Sequence, residues 1–222
     1  KKVFDRGKVS FTYKPGKPVN NFRCMNVDES DIKVNYQQGK LRIIEAFDGE
    51  LLTKEVQRST GGNKIVETDI DNDILKIVVK DRYIDAPPAT GFIKGFGMKS
   101  GAFASSVAHD SHNIIAVGTN DRDITQAINE IIRTKGGLAV SAGGKISSLQ
   151  LNIGGIMTTR SCEEVALDYG VLSELVKSLG CTMAAPFMAL SFMGLLVIPS
   201  LKISDRGLFD VNKFQLVPLF AD

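Results

Sequence analysis

The pattern of apolar and polar positions changes character several times along the chain, and each change marks an element. Leu41 to Phe47 is a β-rich run closed by Asp48-Gly49, and Ile74 to Val79 and Asn113 to Gly118 are two more. Gly137 to Ser141 and Lys145 to Leu151 flank Ala142-Gly143-Gly144. That pattern predicts a β-hairpin, because glycines supply the positive φ angles of a tight turn. A further strand pair is expected around Asp5-Arg6-Gly7-Lys8, followed by a linker at Lys14-Pro15-Gly16-Lys17-Pro18.

Helical spacing appears twice. Between Asp123 and Thr134, residues Ile124, Ala127, Ile128, Ile131 and Ile132 share one face. Thr119, Asn120 or Asp121 can cap its start, and Gly136-Gly137 stops it. The second helix opens at Ser161-Cys162-Glu163-Glu164, a capping box in which serine and glutamate satisfy each other's free backbone donors. Val165, Tyr169, Leu172, Val176 and Leu179 form its stripe, and Gly180 ends it. Strands and helices do not alternate regularly. The chain therefore reads as α+β, with a mixed or antiparallel sheet and at least two amphipathic helices.

The most apolar stretch, Met183 to Leu201, is broken by Pro186, Ser191 and Pro199. A membrane span needs about 20 mostly apolar residues, so this stretch is expected to be buried strand and loop. Composition agrees with a globular, non-membrane protein: 222 residues, 43% hydrophobic, 23% charged, net charge +2. Acids and bases are interspersed without a basic stripe, which excludes the usual footprint of a nucleic-acid binder. Three cysteines without a CxxC pair exclude a disulfide scaffold or zinc ribbon and fit a reducing cytoplasm. The chain opens on Lys1 without Met or an apolar signal segment, which points to processing or excision from a longer chain.

Candidate chemistry concentrates in Ser105-Ser106-Val107-Ala108-His109-Asp110-Ser111-His112-Asn113, which holds both histidines of the chain. Such a run can bind a metal, relay a proton or hydrogen-bond a heterocycle. Equally, it can be a polar loop that satisfies its own backbone. Gly95-Phe96-Gly97-Met98-Lys99-Ser100-Gly101 has the spacing GxGxxxG and no strand–turn–helix context, so a dinucleotide site is not expected. Those glycines permit tight turns or close backbone approach. No GxSxG elbow supports serine hydrolase chemistry. Asp69, Asp71 and Asp73 lack the glycine and glutamate of a calcium loop and read as a solvated turn. Asp205-Arg206-Gly207 reads as a turn with a local salt bridge, and Arg160 and Lys202 as lone surface bases.

Gly91-Phe92-Ile93-Lys94-Gly95-Phe96-Gly97-Met98-Lys99-Ser100-Gly101-Ala102, the following run to Asn113, and Val117-Gly118-Thr119-Asn120-Asp121 resemble blocks of the adenine deaminase C-terminal domain. Ile153-Gly154-Gly155-Ile156-Met157-Thr158 is similar to the family's LPIAGLMS stretch, departing at Asn152 and Gly154. Pro186 to Phe192 and Ile198 to Val211 resemble its closing blocks. Tyr83 stands where the family often shows histidine, and Asp85 to Ala89 is unlike the usual lead-in. Neither departure is expected to touch the His/Asp run.

The resemblance implies a piece of an amidohydrolase that converts adenine to hypoxanthine and ammonia in purine salvage, in the cytoplasm, with homo-oligomer contacts. It implies a manganese- or iron-bearing barrel, and this chain has neither an HxH pair nor enough histidines to supply that centre. Residues 1–18 are then the tail of a small β-domain and a linker, and 19–222 the C-terminal domain. The candidate catalytic residues are His109, Asp110 and His112. The candidate adenine-binding residues are Ser105, Ser106 and Asn113, and the barrel domain is the expected partner. Two alternatives remain: a structural or oligomerisation domain using Met183 to Val197, and a purine-binding module without catalysis of its own.

Overall fold

The computed structural model describes residues 2–12, 19–61 and 64–222. The expected N-terminal strand pair is present as an exposed hairpin, β1 (Phe4–Asp5) with β2 (Lys8–Val9). The expected linker at 14–18 lies outside the described residues. From Val19 the chain crosses the sheet as an irregular segment with a short 3₁₀ turn at Glu29–Ile32. Then β3 (Val34–Asn35), β4 (Lys40–Ala46), β5 (Thr53–Ser59) and β6 (Ile65–Val66) follow, with β3 and β6 forming a two-residue ladder.

The centre is built from β7 (Leu75–Lys80), β8 (Ala89–Lys94), β9 (Ala102–Ser105) and β10 (Ile114–Gly118). The first long helix, α1 (Asp121–Thr134), leads into the hairpin β11 (Gly137–Ala142) and β12 (Lys145–Gln150). Helices α2 (Cys162–Ser178) and α3 (Pro186–Phe192) come next. The chain closes with β13 (Leu201–Ser204), β14 (Gly207–Asp210), β15 (Gln215–Leu216) and β16 (Phe220–Ala221).

Nine of these strands form one sheet in the order β12-β11-β9-β10-β7-β8-β4-β16, with β5 also paired to β4. All its pairings are antiparallel except β4 with β8. The sheet is therefore mixed and the class α+β. Alternation along β10 sets the layers: Ile114 and Ala116 face α1, whereas Ile115 and Val117 face α2, α3 and the β13–β14 hairpin. Helix α1 lies over Ala102, Ala104, Ala116 and Ala139, whose small side chains let it approach closely. It buries Ile124, Ile128 and Ile131 completely, each contributing roughly 1.5–3 kcal/mol.

Caps follow the sequence pattern. Asn120 accepts from the Asp123 amide at the start of α1, one turn earlier than the apolar stripe required. Ser161 and Glu164 form the expected capping box of α2. Two expectations are corrected. The stretch after Met183 contains a helix, α3, which Pro186 opens at its first turn, where a missing N–H is no loss. Its Met183, Phe187, Leu190 and Met193 join the core, while Met188 and Val197 stay exposed. The acidic turn is more than solvated: Asp73 accepts from the amides of Gly95 and Gly97, both at 2.7 Å. At Gly95 a Cβ would lie 2.1 Å from the Ala46 carbonyl oxygen, so this glycine serves close approach of the chain to itself.

Candidate functional site

The run Ser105 to Asn113 leaves β9 and returns as β10, two neighbouring strands inside the sheet. Its ends are therefore held by fully paired backbone on rigid elements. The structure divides the candidate residues into two groups.

Ser105 and Ser106 are buried, and main chain occupies both hydroxyls. Ser105 Oγ accepts from the Val107 amide at 2.9 Å. Ser106 Oγ donates to the Gly155 carbonyl at 2.5 Å and accepts from the Gly137 amide at 2.8 Å, fastening the loop to the β11 side of the sheet. Asn113 is also buried. Its Oδ1 accepts from the Arg82 amide at 3.4 Å, and its Nδ2 donates to Asp205 Oδ1 at 3.2 Å.

His109, Asp110 and His112 sit at the rim, with Asp110 exposed and both rings half-buried. The His109 ring stacks on Phe192 of α3, centroids 5.0 Å apart and planes 22° apart, while its amide donates to the Ser191 carbonyl. His112 takes a φ of 53°, in the left-handed region where histidine is enriched among non-glycine residues, and its amide donates to the Ala108 carbonyl. The two rings meet edge-on at 6.1 Å. His112 Nδ1 is buried without a hydrogen-bond partner. Burial, then the nearby Arg82 and His109, lower the pKa of this imidazole below its usual value. The neutral ring can accept at one nitrogen and donate at the other.

Tyr83 departs from the expectation that it stands apart from the loop: its hydroxyl donates to the Ser111 carbonyl at 2.7 Å. The buried Arg82 guanidinium lies between the rings of Phe22 and Tyr83, 4.9 and 4.8 Å from their centroids. It donates to the Gly154 carbonyl and to the Tyr83 hydroxyl. The pair Arg82-Tyr83 thus ties Gly154, Ser111 and Asn113 together. Their adjacency in sequence gave no sign of this, because the partners lie 28 to 72 residues away.

Beside the rim lies a cavity of about 220 Å³, reaching from Asn113 and His109 to the β13–β14 turn at Asp205. The turn forms as expected, but Asp205 faces Asn113 rather than making the local salt bridge with Arg206. Lys202 is likewise not at the surface: it is fully buried and donates to the Leu51 carbonyl at 2.7 Å. Arg160 pairs with Asp168. Among the described residues, no three His, Cys, Asp or Glu side chains are grouped to hold a metal ion. The loop's donor set does not fit the metal that the resemblance implies, and no chemistry of this chain is routed through one.

The family model for the adenine deaminase C-terminal domain matches residues 50–215. A protein from Methanosarcina mazei named adenine deaminase is 45% identical over 99% of this chain and 42% of its own length. Proteins of the same name from Parabacteroides distasonis and Dehalococcoides mccartyi are 43% and 41% identical, over 99% and 97% of the chain and 40% and 39% of their lengths. The chain thus spans about two-fifths of the relatives it matches, and no helix among the described residues is long and apolar enough to cross a membrane. With the loop block, the glycine block and the closing hairpin all inside the matched region, the chain belongs to the adenine deaminase C-terminal domain family.

Proposed function

We propose that this chain serves the hydrolytic deamination of adenine to hypoxanthine and ammonia, as the C-terminal part of an enzyme whose metal centre lies in its other part. The loop residues His109, Asp110 and His112 face that part and order the substrate or a water there. One observation carries the reading. Within a family-matched domain, the sheet rigidly presents a rim whose Asp110 carboxylate and His109 ring nitrogens make no hydrogen bond among the described residues. Manganese or iron, bound in the other part, supplies the water-derived nucleophile by lowering the pKa of bound water. Purine salvage in the cytoplasm and a homo-oligomeric enzyme belong to the same reading.

The test is ammonia release from adenine with manganese or iron added. The 222-residue chain alone is expected to stay far below roughly 1 turnover per second, and a longer polypeptide carrying it to exceed that rate. Ordinary turnover by the chain alone, or no ammonia from the longer polypeptide, overturns the proposal.

A second reading, an assembly role, is favoured by α2. Leu167 and Val171, one turn apart, are 69% and 59% exposed. They add to Met188 and Val197 of the Met183 to Val197 stretch, 55% and 61% exposed, as apolar side chains available for contact.

A further inference from the structure

We propose that Arg82 is a positioning residue of the deamination, acting on the His112 ring across the end of the β7–β10 ladder and through Tyr83 and Ser111. This role rests on the reading above that His112 orders substrate or water at the rim.

Register brings the two residues together. Strand β7 pairs with β10 as far as Lys80 and Ile114, and two residues beyond that pair the same register sets Arg82 opposite His112. The backbone of Arg82 is held on both sides. Its amide donates to Asn113 Oδ1 at 3.4 Å, and its carbonyl accepts from the Arg23 amide at 2.8 Å. The neighbouring carboxylate is engaged elsewhere: Asp81 Oδ1 accepts from the amides of Tyr83 and Ile84, at 2.7 and 3.3 Å, which fixes the turn that presents Tyr83.

The guanidinium is 5% exposed and lies between the rings of Phe22 and Tyr83. It has no carboxylate partner among the described residues, and its Nε is buried without an acceptor. A Cβ at Gly155 would collide with its Nη1, so glycine there makes room for it. Keeping a charge dry without a counter-ion costs stability that an apolar side chain of similar volume would not cost. Its reach into the loop accounts for the charge. Nη2 donates to the Tyr83 hydroxyl at 2.8 Å, and that hydroxyl donates to the Ser111 carbonyl at 2.7 Å. With Asn113 on its amide, Arg82 thus grips the residues on both sides of His112, whose own φ is 53°. The ring's Nδ1 is buried without a partner, which leaves Nε2 as the nitrogen that can meet substrate or water.

From the β7 end the ring is faced by Arg82, and from its own loop by His109 and Asp110. Helix α3 offers Phe192 to His109, and Asp205 of the β13–β14 turn meets Asn113. Burial first, then Arg82 and His109, favour the neutral imidazole, and Asp110 opposes them.

Both imidazoles of the 222-residue chain can be titrated by NMR, with His109→Asn assigning the His112 resonances. Arg82→Gln removes the charge, and the proton affinity of His112 is expected to rise about threefold or more. Arg82→Lys keeps the charge and should retain the wild-type titration. In the longer enzyme that carries this chain, the acid limb of kcat/KM for adenine should move to higher pH in Arg82→Gln and stay in place in Arg82→Lys, because the neutral ring is the working form. A merely structural Arg82 would lower kcat/KM at every pH and leave the limb where it is. A His112 titration unmoved in Arg82→Gln, an equal shift in Arg82→Lys, or an unmoved limb overturns the proposal. If Arg82→Gln does not fold, Tyr83→Phe decides. Its kcat/KM should fall about tenfold with the denaturation midpoint little changed, and wild-type kcat/KM, or a loss that only tracks unfolded protein, overturns the proposal. The two failures are distinguishable. An unmoved titration in Arg82→Gln refutes the role of Arg82 whether or not His112→Asn lowers turnover, whereas intact turnover in His112→Asn refutes the function proposed above whatever the titration shows.

Discussion

Replacing Lys202 by methionine isolates a single buried charge. Lys202 is 0% exposed, its one acceptor is the Leu51 carbonyl, and no carboxylate pairs with it among the described residues. Burial alone pushes its ammonium down from 10.5 to about 8. Each pKa unit is worth about 1.36 kcal/mol, so at pH 7 the folded state carries a penalty of about 3 kcal/mol for keeping this group charged. The unfolded chain binds more protons than the folded one between about pH 8 and 10.5, so stability rises with pH across that window. Weighting both states by proton occupancy leaves about 1 kcal/mol of penalty at pH 9.5, a recovery of about 2 kcal/mol from pH 7. Methionine preserves the unbranched stem, removes the charge, and orphans the Leu51 carbonyl at roughly 1–3 kcal/mol. At pH 7 Lys202→Met should therefore be neutral or up to about 2 kcal/mol more stable than wild type. By pH 9.5 this difference should move about 2 kcal/mol in favour of wild type. Urea denaturation of both proteins at the two pH values measures it, with all other titrations cancelling in the difference. A difference that is the same at pH 7 and 9.5 refutes the reasoning.

Two further outcomes follow from the loop. The His112 ring should titrate below 6.5 in an NMR pH series, because burial disfavours its charged form. The unfolded chain then binds the extra proton first, and stability falls as pH drops below 6.5; a midpoint at or above 6.5 contradicts this. Ser106→Ala should destabilise the chain by about 1–3 kcal/mol, because it leaves the Gly137 amide without its 2.8 Å acceptor in a buried site. A thermal or urea midpoint equal to wild type would show that the loop is not fastened there.

Periodicity made the frame legible. The stripe of Ile124, Ile128 and Ile131, the Ser161 capping box and the Ala142-Gly143-Gly144 turn are local signals, and each element formed where its signal lay. Helix α3 was missed because Pro186 and Pro199 read as breaks, although a proline at a helix start is permitted. The polar run was legible as a cluster, but not its division into held and free groups. Ser106 meets Gly137 and Gly155 from 31 and 49 residues away, and Asn113 meets Asp205 from 92. Sequence adjacency suggested instead that Asp205 pairs with Arg206, that Lys202 is a surface base and that Tyr83 stands apart. Each of those readings failed because packing of the closing hairpin and the β7 end decides these contacts.

The central claim, that the loop works in adenine deamination, is tested most directly by His109→Asn and His112→Asn in the longer enzyme that carries this chain. Steady-state ammonia release from adenine should fall by about tenfold or more in kcat/KM, the order of one lost positioned hydrogen bond of roughly 1.5 kcal/mol, with the denaturation midpoint little changed. Wild-type kcat/KM in both variants, or a loss that only tracks the fraction of folded protein, would contradict the account and leave the loop a structural connection between β9 and β10.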